Sequence, residues 1–105
     1  MGNARPKPAR LAEKLRQVRL ALGLSQSEIH KRLGVENLIE FKRISDYELG
    51  KNEPTLMILL QYARIAGVHM EALVDDEIEL PEKLPGPVKY GEIKRQYKSR
   101  RKAKR

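Results

Sequence analysis

The stretch Ser25–Glu48, SQSEIHKRLGVENLIEFKRISDYE, constrains the fold of this chain more than any other. Gly34 divides it, with Leu33 and Val35 on either side, so it reads as two short helices broken by a glycine. Ser25 is the N-cap of the first, and Glu28 three residues on completes a capping box. Leu24 before the cap and Ile29 at the fourth helical position form a hydrophobic staple. That helix is expected from Gln26 to Leu33. Asn37 with Glu40 forms a second possible capping box. The next helix is therefore expected to start near Leu38, run through Ile44 and Tyr47, and end at Leu49. Gly50 stops it, and Lys51, Asn52, Glu53 and Pro54 make a tight loop.

The flanking stretches are helical too. Leu11, Leu15, Val18 and Leu22 form one apolar stripe across residues 9–22, with Lys14, Arg16 and Gln17 on the other face. Gly23 ends this helix as a left-handed residue followed by apolar Leu24. Thr55 caps LMILLQYARIA, which stops at Gly67. Its buried stripe is expected to be Leu56, Leu59, Leu60, Ala63 and Ala66, with Gln61 and Arg64 facing water. His69 takes the N-cap position of a short fifth helix, MEALV. The expected fold is all-α, with five helices. A flexible arm spans residues 1–8 and the folded domain spans 9–75. An acidic linker marked by Pro81, Pro85, Gly86 and Pro87, then a basic tail, span 76–105.

Charge is unevenly placed along the 105 residues. Residues 1–82 hold 12 Lys/Arg and 13 Asp/Glu, whereas residues 83–105 hold 10 Lys/Arg and one acid, Glu92. The formal net charge of +8 therefore belongs to the tail. Such tails attract polyanions, nucleic acid first among them, or are simply solvated. Tyr90, Ile93 and Tyr97 have helical spacing within it. There are no cysteines, hence no disulfide or thiolate metal site, which fits a cytoplasmic location. From the sequence, no signal peptide, membrane span or myristoylation is expected. His30 is read as a packing residue and His69 as an N-cap substitute, since neither has converging ligands. Asp75, Asp76, Glu77 and Glu79 lack the glycine-centred loop of a calcium site and read as a solvated acidic face or a charge partner for the tail. No nucleophile–base set and no phosphate-cradling glycine loop appears, so neither an enzyme, a cofactor nor a metal is expected.

In order and mostly in spacing, the motifs resemble the lambda-repressor-like helix-turn-helix family of phage repressors, Cro proteins and their bacterial relatives. The resemblance covers about residues 9–75. It rests on Arg19, the LGLSQ run Leu22–Gln26, Ile29, the LGV of Leu33–Val35, the IS-x-YE-x-GK-x-x-P of Ile44–Pro54, and the IAGVHMEALV of Ile65–Val74. It implies that the third helix lies in the major groove of double-stranded DNA, with Phe41, Lys42, Ser45 and Asp46 groove-facing. Gln26 would bond a phosphate and help seat the third helix, and Lys51 and Asn52 would clamp phosphates after it. Arg19 and Glu48 match an internal salt bridge. The chemistry agrees: Lys42 and Arg43 can donate to guanine O6/N7, and Asp46 can accept from cytosine N4.

Three departures stand out. Eight residues, Glu36–Arg43, separate Val35 from Ile44, where such proteins usually have about four. The Asn37–Glu40 box favours adding the extra residues to the third helix. His30 stands where a small residue is usual, with Phe41 positioned to fold over it. The exposed face of the third helix carries Glu40, Phe41 and Asp46, two of them acids that oppose phosphate. The function implied is a sequence-specific transcriptional regulator, a repressor in the first instance, working as a homodimer. The alternatives are an antitoxin that binds a toxin and its own promoter, and a tail-driven RNA or nucleic-acid binder.

Overall fold

The computed structural model describes residues 7–87. Among them are five helices: α1 (Leu11–Ala21), α2 (Gln26–Arg32), α3 (Lys42–Glu48), α4 (Leu56–Ala66) and α5 (Met70–Val74). Isolated helices shorter than about 12 residues are marginal in water, so all five depend on shared burial, the short α2, α3 and α5 most of all. Each helix places a fully buried side chain in one core: Leu15 and Val18 from α1, Ile29 from α2, Ile44 from α3, Tyr62 from α4 and Leu73 from α5. Burying one such aliphatic side chain is worth about 1.5–3 kcal/mol.

Local sequence sets most boundaries. The Ser25–Glu28 capping box forms in both directions: Glu28 N–H donates to Ser25 Oγ at 3.0 Å, and Ser25 N–H to Glu28 Oε1 at 2.8 Å. Thr55 Oγ1 accepts from Ile58 N–H at 3.4 Å. At the end of α1, Leu24 N–H reaches back to the Arg19 carbonyl and Gly23 N–H to that of Leu20, both at 3.0 Å. The end of α3 repeats this pattern, with Lys51 N–H on Asp46 and Gly50 N–H on Tyr47. Such paired bonds need a left-handed residue after the helix. Gly67, after α4, is left-handed at φ 74°, and a second constraint keeps it a glycine. A Cβ there would run into the carbonyl of Gly86, whose own N–H donates to the Ala66 carbonyl at 3.1 Å.

The structure corrects several expectations. α3 starts at Lys42 rather than near Leu38, for reasons given below. On α4 the buried set is Ile58, Leu59, Tyr62, Ala63, Ile65 and Ala66, while Leu56 is largely exposed and Leu60 only half-buried. The helix is apolar nearly all round, so periodicity alone had little contrast with which to choose a face. Leu22 is half-buried. His69 holds the N-cap position of α5 but makes no side-chain cap bond.

Lys14, expected on the solvent face, is fully buried. Its ammonium donates to the carbonyls of Ala72 (2.8 Å), Asp75 (2.7 Å) and Ile78 (2.7 Å). A lysine has three donors, and here all three are used. They satisfy carbonyls at the end of α5 and in the turn after it, where a cation is favoured. The acidic segment returns the favour. Asp76 accepts from the N–H groups of Ala9 (2.8 Å) and Arg10 (2.9 Å), capping the start of α1 from across the molecule. Arg10 pairs with Glu79 through both terminal nitrogens (2.8 and 3.0 Å) and with Glu13 through Nε (2.7 Å). Leu80 is buried and Leu84 packs against the core. Residues 76–80 are thus strapped along α1 rather than standing clear of it.

At the other end of α1, Arg19 Nε and Nη2 donate to Glu48 Oε2 and Oε1 at 2.7 and 2.9 Å, and Arg19 Nη1 donates to the Leu24 carbonyl at 3.1 Å. The Glu48 side chain is only 4% exposed and that of Arg19 13%.

Two outcomes follow. Arg19→Ala strands a buried carboxylate and should destabilise the fold by ~3–5 kcal/mol, read as a drop in the urea midpoint; a loss below about 1 kcal/mol would place the pair among solvent-screened ones. The second concerns pH. The Ala9 and Arg10 N–H groups hold the Asp76 carboxyl below its ordinary value of 3.8. Its stabilisation is therefore complete above the unfolded value and lost as pH falls through the lower folded one. Wild type should exceed Asp76→Asn in stability at neutral pH, and the gap should close as denaturation is repeated towards about pH 3. A gap that is constant with pH would show the effect is not ionic.

Candidate nucleic-acid interface

The segment joining α2 to α3 is set by one side chain. His30, at 9% exposure, points into the space between α2 and the connection. Its Nε2 lies 2.8 Å from the Ile39 carbonyl. A carbonyl only accepts, so Nε2 carries the proton. Had α3 begun near Leu38, that carbonyl would receive the Arg43 N–H. Instead Arg43 N–H goes to Glu40 at 2.9 Å and Ile44 N–H to Phe41 at 3.1 Å, both tight three-residue turns. The Asn37–Glu40 capping box does not form. Leu38 and Ile39 N–H groups both turn back to the Val35 carbonyl (2.8 and 3.0 Å), and Ile39 packs half-buried on the core. The extra residues lengthen the turn, not the helix. Phe41, the N-cap residue of α3, has no side-chain cap bond and meets His30 edge-on, ring centroids 6.2 Å apart at 67°.

α3 buries Ile44 and Tyr47 and leaves Phe41, Lys42 and Arg43 exposed, with Ser45 and Asp46 half-buried. Its far end is fixed by Glu48, which also receives Gln26 Nε2 at 3.4 Å. Gln26, the first residue of α2, is thereby brought beside the end of α3. Gly50 then throws the chain back, so that the N–H groups of Lys51 and Asn52 both point to the Asp46 carbonyl, at 2.9 and 3.5 Å.

The Asn52 amide ties this loop to α3 in either orientation. In one, its NH2 approaches Asp46 Oδ2 at 3.4 Å; turned over, its oxygen accepts from Arg43 Nη1 at 3.0 Å and its NH2 donates to Lys51 O at 3.3 Å. The second is preferred because it gives both amide atoms a complementary partner. Arg43 is then drawn toward the loop, where a shallow depression between turn and loop is lined by Glu40, Arg43 and Asn52. It stands apart from Phe41, Lys42 and Ser45, which make no side-chain hydrogen bond among the described residues.

Sequence reasoning gave Lys7 no firm place. It lines a cleft with Gly50, Lys51 and Asn52, so two ammonium-bearing side chains border one concavity at the end of α3. Arg10, just before α1, is engaged by Glu13 and Glu79. The only advance signal was position: Lys7 lies between Pro6 and Pro8, and Arg10 just before α1.

A family model described as helix-turn-helix matches residues 15–73, from the middle of α1 to Leu73 in α5. No curated protein and no solved structure matches the chain. The matched span takes in α2, the lengthened turn and α3, and exceeds half of the 105 residues. This chain belongs to the Cro/C1-type helix-turn-helix family of DNA-binding transcription regulators.

Proposed function

We propose that the chain is a sequence-specific regulator, a repressor in the simplest case, that lays α3 in the major groove as one half of a homodimer. The observation that carries this reading is a short helix pinned at its far end by the buried Arg19–Glu48 pair and bare along Phe41, Lys42 and Arg43. Repression is the simplest outcome because occupying a promoter requires no contact beyond DNA. Two-fold operators match two-fold proteins, hence the dimer.

Within this reading Phe41, Lys42, Ser45 and Asp46 meet base edges, and Arg43 meets either a base or, through Asn52, the flank of the groove. Gln26, Lys51 and Asn52 meet phosphates, joined by Lys7 from across the cleft. Gln26 suits this because its bond to Glu48 is long, at 3.4 Å, and orients the amide without using all its donors.

A second reading is an antitoxin that binds a toxin and its own promoter. Leu49, Leu56 and Met57 favour it, being large apolar side chains left largely exposed. They fit a protein neighbour better than DNA, whether a second subunit or a toxin. Co-purification of one stoichiometric partner of different mass would select this reading; a lone symmetric dimer would select the first.

The interface divides into parts that position and parts that specify. Lys51→Ala should weaken binding to every duplex alike and lower the slope of log affinity against log salt by about one. Residues 88–105 carry nine Lys/Arg against one acid. Removing them should lower affinity for all sequences and flatten the salt dependence further, while the ranking of sequences stays the same. Salt titrations on duplexes enriched from a random pool, beside thermal melts, check both. A changed ranking would move Lys51 to base readout, and a lowered melting point would make the tail part of the fold.

A further inference from the structure

We infer that Phe41 reads the 5-methyl group of a thymine, so that the DNA site bound by this protein carries a thymine opposite the first turn of α3. This rests on the reading that α3 enters the major groove. Phe41 opens that helix and is 49% exposed. The other part of its ring is seated edge-on against His30. His30 is itself buried and bonded to the Ile39 carbonyl at 2.8 Å, which holds the support still. The exposed half-ring is therefore presented in a set direction, with little side-chain freedom left to lose on contact.

What meets the ring follows from its chemistry. Glu40 precedes it and repels phosphate, so this end of α3 is disfavoured against the DNA backbone. In the major groove the one apolar group on any base edge is the thymine methyl. Phenylalanine has neither donor nor acceptor. Set against a guanine or adenine edge, it would strip water from N7 and return nothing. Against the methyl it buries apolar surface on both sides. Phe41 thus selects by two effects of the same sign, a gain at thymine and a penalty at purines. Lys42, the next residue, supplies charge to hold the helix in the groove.

The full-length chain tests this. Duplexes are enriched from a random pool, and each thymine of the enriched sequence is replaced singly by deoxyuridine, which removes only the methyl. Uracil at one position per half-site should weaken binding about fourfold, the worth of one buried methyl. Phe41→Ala should bind the thymine and uracil duplexes alike at that position. Replacing its T·A pair by C·G should weaken wild type, and 5-methylcytosine there should recover the methyl's share. Circular dichroism checks that Phe41→Ala keeps its helices; should it not, the uracil and 5-methylcytosine scans of wild type decide alone. An enriched sequence indifferent to uracil throughout overturns the inference while leaving DNA reading intact. So does a uracil effect that persists in Phe41→Ala, or a Phe41→Ala variant that loses only a protein partner. A pool that yields no enriched sequence overturns this inference and the sequence-specific reading together.

Discussion

The carboxylate of Glu48 is the point at which three helices are held together. It ends α3, receives two bonds from Arg19 in the last turn of α1, and receives Gln26 from the first turn of α2. A carboxylate this buried is unfavourable unless its oxygens are satisfied. Both oxygens are satisfied only when α1, α2 and α3 meet at one angle. Apolar packing of Ile29 and Ile44 tolerates some sliding; a bidentate guanidinium pair does not. The same guanidinium holds the Leu24 carbonyl, so the joint between α1 and α2 is fixed by the same group. Everything downstream inherits this setting, including the Gly50 turn and the places of Lys51 and Asn52.

α1 is consequently a beam clamped at both ends. Arg19 fixes it to α3. Near its start, Lys14 fixes it to the carbonyls after α5, and Asp76 fixes its first N–H groups. The exchange of a cation for one helix end and an anion for the other satisfies groups that neither five-residue α5 nor the uncapped start of α1 satisfies locally. The two clamps differ in kind. The Arg19–Glu48 and Lys14 contacts are buried, so salt acts weakly on them. The Arg10–Glu79 contact is exposed, with Glu79 75% accessible, and is screened. Salt therefore acts on the strap over α1 through its exposed Arg10–Glu79 pair, and little on the joint that sets α3.

Local features of the fold were legible in the sequence, and non-local ones less so. The Ser25–Glu28 box, the Thr55 cap and the glycine stops at Gly23, Gly34, Gly50 and Gly67 all involve residues within one turn of each other, and all appear. The Asn37–Glu40 box had the same local form but does not form: Leu38 and Ile39 N–H turn back to the Val35 carbonyl, and His30, seven or more residues away in sequence, bonds the Ile39 carbonyl within that turn. Lys14 lies by spacing within the Leu11–Val18 stripe, yet its charge argued for water; its three acceptors come from the far end of the chain. On α4, Leu59, Ala63 and Ala66 are buried as expected, but Leu56 and Leu60 are not, because apolar residues surround that helix. At the candidate interface, the Arg43–Asn52 contact and the Lys7 cleft were not legible, because both arise from the loop folding back.

The most unusual part of the interface has a single cause. A small residue at position 30 would offer no donor to the connection, and Ile39 would be free to join a helix. His30 offers an N–H and enough bulk to fill the gap beneath the chain. It bonds the Ile39 carbonyl, which lies in the turn formed by the added residues, and that turn brings Phe41 edge-on to the imidazole. The large residue on α2 and the longer connection are thus one adaptation rather than two. The result is an α3 whose far end is set by a buried ion pair and whose near end is set by an aromatic contact. Of these the second lies outside the buried joint that holds the helices together.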